Sequence, residues 1–290
     1  MGESLAAALE RGPLVLDGGL SNQLAAAGHD LSDALWTARL LRDDPGAIVD
    51  AHLAYLAAGA SVLITAGYQA PADWLARSVE LGREAVSRYR ATGSDRPLWI
   101  AASVGPYGAL LADGSEYRGR YGLPVAELEA FHRPRLAALA AAEPDVFAVE
   151  TVPDVDEATA LVNVATELGV PIWLSYTIAG GRTRAGQSLT EAFRLAAADA
   201  VVATGVNCCA PGEVAAAVAT ARTVTDKPIV VYPNSGQEWD AASRNWTGRS
   251  SLRRHLARDW VAAGAGLIGG CCGVGPDRIA ELAGLIPGDK

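Results

Sequence analysis

The chain has four cysteines, and they come as two adjacent pairs. Cys208 and Cys209 lie in Gly205-Val-Asn-Cys-Cys-Ala-Pro211, and Cys271 and Cys272 lie in Gly266-Leu-Ile-Gly-Gly-Cys-Cys-Gly-Val-Gly-Pro276. Each pair follows a short apolar run. A free cysteine is often only a small buried hydrophobe, but two pairs at the ends of two such runs point to metal or thiol chemistry. A disulfide between neighbours such as Cys271 and Cys272 would be strained, and no Cys-x-x-Cys redox motif is present. Catalytic zinc keeps three protein ligands and one open position, whereas structural zinc is closed by four. Successive side chains of a strand point to opposite sides. Gly269 and Gly270 relax that restriction, because glycine accepts unusual turns. The expectation is that two strand ends converge and that three of the thiolates hold one zinc ion.

The elements that would position them can be read from the hydrophobic pattern. Eight continuous apolar runs alternate with Ala/Leu-rich helical stretches: Pro13–Leu16, Ser61–Thr65, Leu98–Ser103, Val146–Val149, Pro171–Tyr176, Val201–Val206, Pro228–Tyr232 and Gly266–Ile268. Continuous rather than alternating runs suit parallel strands covered by helices. Helices are expected over Ala47–Leu56, Asp73–Arg90, Asp156–Leu168 (capped by Asp154 and Gly169), Glu191–Ala198, Pro211–Ala221, Leu252–Ala263 and Ile279–Leu285, the last opened by Pro276 and Asp277. Eight strand-helix units predict an α/β fold, a (β/α)8 TIM barrel spanning residues 1–290 as a single domain, in preference to an open doubly wound sheet. Residues 1–12 are expected to form a helix closing the bottom. Three long segments, Gly105–Pro124, Ile178–Leu189 and Asn234–Ser251, are expected to cover the top.

Such barrels do their chemistry at the C-terminal ends of the strands. Those ends read Asp17-Gly18-Gly19, Thr65-Ala-Gly-Tyr68-Gln69, Ser103-Val-Gly-Pro106, Glu150-Thr151, Asn207-Cys208-Cys209, Tyr232-Pro-Asn234-Ser235-Gly236 and Gly269-Gly-Cys-Cys272. The zinc site is therefore expected there, beside acids from strands one and four.

Composition excludes several classes. Half of the 290 residues are hydrophobic, enough for a large core, and the net charge is -9. The only lysines are Lys227 and Lys290. No basic cluster suits nucleic acid, and no apolar run is long enough for a membrane span. The first residues lack the basic start of a signal peptide. A cytoplasmic enzyme is expected, since clustered cysteines outside a disulfide framework belong to a reducing compartment. His29, His52, His132 and His255 show no metal-binding spacing, a Gly-x-Ser-x-Gly elbow is absent, and no strand lysine is placed for Schiff-base chemistry.

Gly269-Gly-Cys-Cys272 with Gly205-Val-Asn-Cys208 resembles the zinc site of the homocysteine S-methyltransferase family. The resemblance covers nearly the whole chain, through Leu16-Asp-Gly-Gly19, Thr65–Ala70, Ser103-Val-Gly-Pro-Tyr-Gly108, Asp113-Gly-Ser-Glu-Tyr-Arg-Gly119, Glu150-Thr-Val-Pro153 and Val231-Tyr-Pro-Asn-Ser-Gly236. It is closest to the branch that uses S-methylmethionine or S-adenosylmethionine rather than betaine. The resemblance implies a (β/α)8 barrel, one Zn2+ per chain on Cys208, Cys271 and Cys272, and the sulfur of homocysteine as fourth ligand. Cys209 becomes a bystander. Zinc would make the substrate a thiolate at neutral pH, which would take a methyl group from the sulfonium donor to form methionine.

Within that scheme the substrate ammonium needs an anion, expected from Glu150 or Asp17. Asp17 also suits a turn cap, and Glu150 a buried pair with an arginine. Backbone N–H groups of Gly18 and Gly19 are expected to hold the substrate carboxylate, with Thr151 and Asn207 nearby. Asn207 orients either Cys208 or the substrate. On the donor side, Trp36 and Tyr68, and less directly Tyr107, offer aromatic faces to a sulfonium, with Ser103, Asn234 and Ser235 shaping the pocket. Two other readings stay open: methyl transfer to selenocysteine or another thiol, and a barrel lyase or binding protein with a structural zinc.

Overall fold

A computed structural model describes residues 3–31, 35–240 and 245–286. All eight expected runs are strands: β1 (Leu14–Val15), β2 (Val62–Ile64), β3 (Trp99–Val104), β4 (Val146–Val152), β5 (Ile172–Tyr176), β6 (Val201–Asn207), β7 (Ile229–Tyr232) and β8 (Ala265–Ile268). Every pairing between neighbours is parallel, and β8 returns to β1 through Leu14 opposite Leu267 and Val15 opposite Ile268. A parallel bridge from Leu16 to Val62 joins β1 to β2 and closes the ring. The architecture is the (β/α)8 barrel.

The alternation of side chains along each strand divides the core in two. Leu16, Val62, Trp99, Ala101, Val146, Ala148, Trp173, Ala203, Val230 and Leu267 form the cluster inside the barrel. Leu63, Ile100, Phe147, Val149, Ile172, Leu174 and Val231 join the larger cluster between sheet and helices. The strands are buried on both faces, which is why their runs are uniformly apolar. The main helices around the sheet are α2 (Leu20–Ala26), α3 (Pro45–Ala57), α4 (Leu75–Arg90), α5 (Val125–Ala140), α6 (Val155–Leu168), α7 (Leu189–Phe193), α8 (Val214–Arg222), α9 (Arg254–Ala262) and α10 (Pro276–Ala283). Before them, α1 (Leu5–Arg11) is capped by the Ser4 side chain and sends Leu5, Ala8 and Leu9 into the barrel-interior cluster. The indole of Trp99 donates to the Glu3 carbonyl at 2.9 Å, pinning this plug to the sheet.

Local signals behave as their chemistry requires. The Asp154 carboxylate accepts from the Asp156 N–H, and Gly169 ends α6 with φ +65°. Helix α7 starts two residues earlier than the pattern suggested, after Ser188, and continues as a 3-10 turn, Arg194–Ala197. Helix α5 was absent from the sequence reading; Pro134 lies inside it. The three covering segments carry short elements of their own: a helix (Tyr107–Leu111) and a 3-10 turn (Ser115–Tyr117), a hairpin (Ile178–Ala179 with Arg182–Thr183), and a second hairpin (Glu238–Asp240 with Asn245–Thr247), whose residues 241–244 lie outside the described residues. Among the described residues, no helix is long and apolar enough to cross a membrane.

Candidate metal and methyl-transfer site

The ends of β6 and β8 do converge. Beyond β8 the chain passes through Gly269 and Gly270 into a turn, and neighbouring backbone fixes that turn. Cys271 N–H donates to the Pro233 carbonyl at 2.8 Å, the Cys272 carbonyl accepts from Ser235 N–H at 2.8 Å, and Gly273 N–H donates to the Asn22 side chain at 2.7 Å. A methyl group on Gly269 would lie 2.6 Å from the Asp17 carbonyl, and one on Gly270 would lie 2.2 Å from Val274. The two glycines are there because nothing larger fits. On β6, Cys208 takes the left-handed conformation with φ +46°. Its N–H and carbonyl are held by Tyr232 and Thr177.

As a result the sulfurs of Cys208, Cys271 and Cys272 all lie within 4.8 Å of one another. The Cys271 and Cys272 sulfurs are 3.9 Å apart, and Cys208 is joined to Cys271 as a disulfide with Cα atoms 5.6 Å apart. On a tetrahedral zinc with bonds of ~2.3 Å, ligand sulfurs sit about 3.8 Å apart. Once the disulfide is reduced, the three thiols therefore suit a three-sulfur metal site with one position open. Burial pushes the Cys272 thiol up to about 11, so a cation is what would turn it into a thiolate at neutral pH. Cys209 points elsewhere. It is buried in the cluster between sheet and helices, and burial pushes its thiol up to about 12.

The acids lie beside the sulfurs. Glu150 and Asp17 are 7% and 1% exposed, and neither has a basic partner. Glu150 accepts from the Ser103 hydroxyl at 2.5 Å, and Tyr232 lies next to it. Burial nevertheless raises its pKa to about 7. Asp17 accepts from Ile64 N–H at 2.8 Å through one oxygen, while the other is buried with no partner. Its carboxyl is held well above the usual range, first by burial and then, in part, by the charge of Glu150. Two buried acids with no basic partner, one of them with an unbonded oxygen, are a receptor for a cation with N–H groups.

Other expected residues prove to be braces. The Asn207 side chain accepts from Thr151 N–H at 2.7 Å and from the Ser175 hydroxyl at 2.9 Å, and it donates to the Thr151 hydroxyl at 2.7 Å. It thereby locks Thr151 at φ +59°, the residue directly after Glu150. Gly19 corrects the sequence reading: its N–H donates to the Val274 carbonyl at 2.9 Å and is not free for a substrate carboxylate. The Gly18-Gly19 pair also lets the end of β1 pack against the cysteine turn, since methyl groups there would meet the carbonyls of Val274 and Cys271 at 2.3 and 2.7 Å. Tyr68 lies against the Gly105 backbone with its hydroxyl buried and unbonded. Asn234 Oδ1 is also buried without a partner. Trp36 is half-buried in a 3-10 helix, Trp36–Arg39, with φ +49°. The sequence reading assigned nothing to Glu116 or Tyr117, although both lie in the Asp113-Gly-Ser-Glu-Tyr-Arg-Gly119 stretch it singled out.

The sequence model described as homocysteine S-methyltransferase matches residues 14–286. The chain belongs to that family. A homocysteine S-methyltransferase of Escherichia coli strain K12 is 42% identical, with 93% of this chain and 94% of the relative covered. A selenocysteine Se-methyltransferase of Brassica oleracea is 37% identical over 93% of this chain and 88% of its own length. Among solved structures, the homocysteine methyltransferase MmuM of Escherichia coli superposes in its oxidised form with a TM-score of 0.87 at 38% identity, covering 98% of this chain and 99% of that one. Its metallated form gives 0.86 at 39% identity, covering 96% and 98%.

Proposed function

We propose that this chain transfers a methyl group from a sulfonium donor, S-methylmethionine or S-adenosylmethionine, to homocysteine, forming methionine. The observation that carries the reading is the convergence of three cysteine sulfurs beside two buried acids that lack a cation. We assign the metal as zinc, one per chain, held by Cys208, Cys271 and Cys272. Zinc in such a site supplies a fourth position for the substrate sulfur and removes its proton.

The chain's own groups do the rest. Glu150 and Asp17 take the substrate ammonium, and its N–H groups fill the hydrogen-bonding capacity that both acids have spare. Ser103 and the Asn207–Thr151 brace fix Glu150. Tyr68 and Asn234 face the donor side, with Trp36 an outer aromatic face. In the transfer, the homocysteine sulfur forms a bond to the methyl carbon. The bond from that carbon to the sulfonium breaks, its electron pair stays on the donor sulfur, and a neutral thioether leaves. Orientation of the three atoms in line is the protein's main contribution and is worth several kcal/mol. The whole chain acts as a single homocysteine-binding barrel domain. Thiols that must stay reduced suit a cytoplasmic enzyme.

The test is a donor panel with homocysteine: S-methylmethionine, S-adenosylmethionine, betaine and methylfolate. Methionine is expected from the two sulfoniums and not from the others. If none yields methionine, the reading fails. The similarity to a selenocysteine Se-methyltransferase makes selenocysteine the second acceptor to include.

A further inference from the structure

Two charged side chains at the mouth of the barrel have no ion-pair partner among the described residues and no part in the scheme above. Glu116 sits in the 3-10 turn Ser115–Tyr117, which packs against β4, the strand that carries Glu150. Its Oε2 is buried and makes no hydrogen bond. Arg184 follows the hairpin strand Arg182–Thr183, and its Nε is likewise buried and unbonded. Neither forms an ion pair among the described residues. The Arg184 guanidinium lies over the Tyr117 ring, 5.5 Å from its centre. Tyr117 is the residue next to Glu116 and is 40% exposed, so the cluster opens to solvent. It lies near the cysteine turn, close enough to Cys272 for Tyr117 and Glu116 to interact electrostatically with it.

An acid next in the chain to a tyrosine and an arginine stacked on that tyrosine's ring are near enough neighbours to pair with each other. Here they stay apart, and each keeps a desolvated atom without a partner, which is unfavourable unless a ligand supplies both opposite charges. An α-amino acid head group is such a ligand. The reaction brings two amino acids into the site, and the ammonium of the first belongs deep in the barrel with Glu150 and Asp17.

We propose that Glu116 and Arg184 bind the α-ammonium and the α-carboxylate of the methyl donor, so that the site selects sulfonium α-amino acids over sulfoniums or betaines that lack this head group. The proposal rests on the methyl-transfer reading and identifies its donor subsite. Glu116 reaches down from the segment after β3 and Arg184 from the segment after β5. The donor would thus be gripped by two of the three covering segments, with its sulfonium directed at the cysteines.

The test is direct binding, by calorimetry on the full-length zinc-loaded protein, of S-methylmethionine and of trimethylsulfonium, which keeps the sulfonium but has no amino acid head. Glu116→Gln and Arg184→Gln should each weaken S-methylmethionine by about 10- to 100-fold, the range for a lost charge-assisted hydrogen bond. Glu116→Asp should recover part of the loss. Trimethylsulfonium affinity and the KM for homocysteine should stay unchanged. Thermal midpoints equal to the parent's would show that the variants fold. Unchanged S-methylmethionine affinity in both variants would overturn the proposal, as would an equal loss for trimethylsulfonium. If S-methylmethionine binding depends on both residues but no methionine forms, the methyl-transfer reading fails and the subsite stands. If methionine forms normally and binding ignores both residues, the subsite alone fails.

Discussion

The hydroxyl of Ser103, at the end of β3, donates a 2.5 Å hydrogen bond to the carboxylate of Glu150, at the end of β4, and both groups are buried. This bond lowers a pKa that burial has raised to about 7. Ser103→Ala should therefore move Glu150 further up. The acid limb of the pH profile of kcat/KM for homocysteine should shift to higher pH by about one unit, since one unit corresponds to about 1.4 kcal/mol, the scale of a single hydrogen bond. The zinc content should not change. A profile that stays in place would remove Ser103 from the substrate site.

Glu150 gives the profile its sign. Its folded-state pKa is raised, so the neutral carboxyl is the form the empty fold prefers. An ammonium ligand needs the anion, so affinity for homocysteine should fall about tenfold per unit as pH drops below about 7. Stability without substrate should run the other way. The contribution of the neutral group is complete below its unfolded pKa and is lost as pH rises through about 7. Glu150→Gln should therefore raise the thermal midpoint at pH 8, leave it unchanged at pH 4, and weaken homocysteine at neutral pH. Titration calorimetry and thermal melts across pH check both halves.

Zinc should load when the thiols of Cys208, Cys271 and Cys272 are kept reduced, since the thiolate is the metal ligand. With reductant present, one equivalent of zinc per chain is expected by elemental analysis. Cys208→Ala, Cys271→Ala and Cys272→Ala should each lose it, while Cys209→Ala should keep it. Retention by Cys271→Ala would dismantle the site.

Asn207→Ala should reach Glu150 without touching it. The substitution leaves the Thr151 N–H and the Ser175 hydroxyl without their buried acceptor, at about 1–3 kcal/mol each. It also frees Thr151 from its left-handed conformation. A lower thermal midpoint and a raised KM for homocysteine are expected together. Asn207→Asp should recover part of both, since a carboxylate still accepts from the Thr151 N–H and the Ser175 hydroxyl.

The barrel was legible because its strands are buried on both faces: each run is short, apolar and bounded by polar ends, and all eight recur as strands. The two cysteine pairs were legible because so few physical reasons put Gly-Gly before Cys-Cys. Helix α5 was missed because Pro134 reads as a breaker inside what is a continuous helix. Gly19 was misread because glycine permits close approach without saying what approaches; here it is the Val274 carbonyl. The same limit hid the brace at Asn207. An asparagine beside a ligand cysteine looks like part of the site, while its partners, Thr151 and Ser175, sit on other strands at no sequence spacing that could announce them. Glu116 went unassigned because the role proposed for it depends on Arg184, which lies on a different covering segment and stacks on the neighbouring Tyr117.

Helix α1 fills the lower end of the barrel with Leu5, Ala8 and Leu9. The molecule is therefore a cup with one rim, and two reactants and two products must share that rim. On the proposed assignment homocysteine sits below the donor, so it goes in first and the donor then covers it. The demethylated donor must leave before methionine can. With that assignment, a plug of three apolar side chains at the far end of the molecule leads to ordered sequential kinetics, the methyl donor second on and first off.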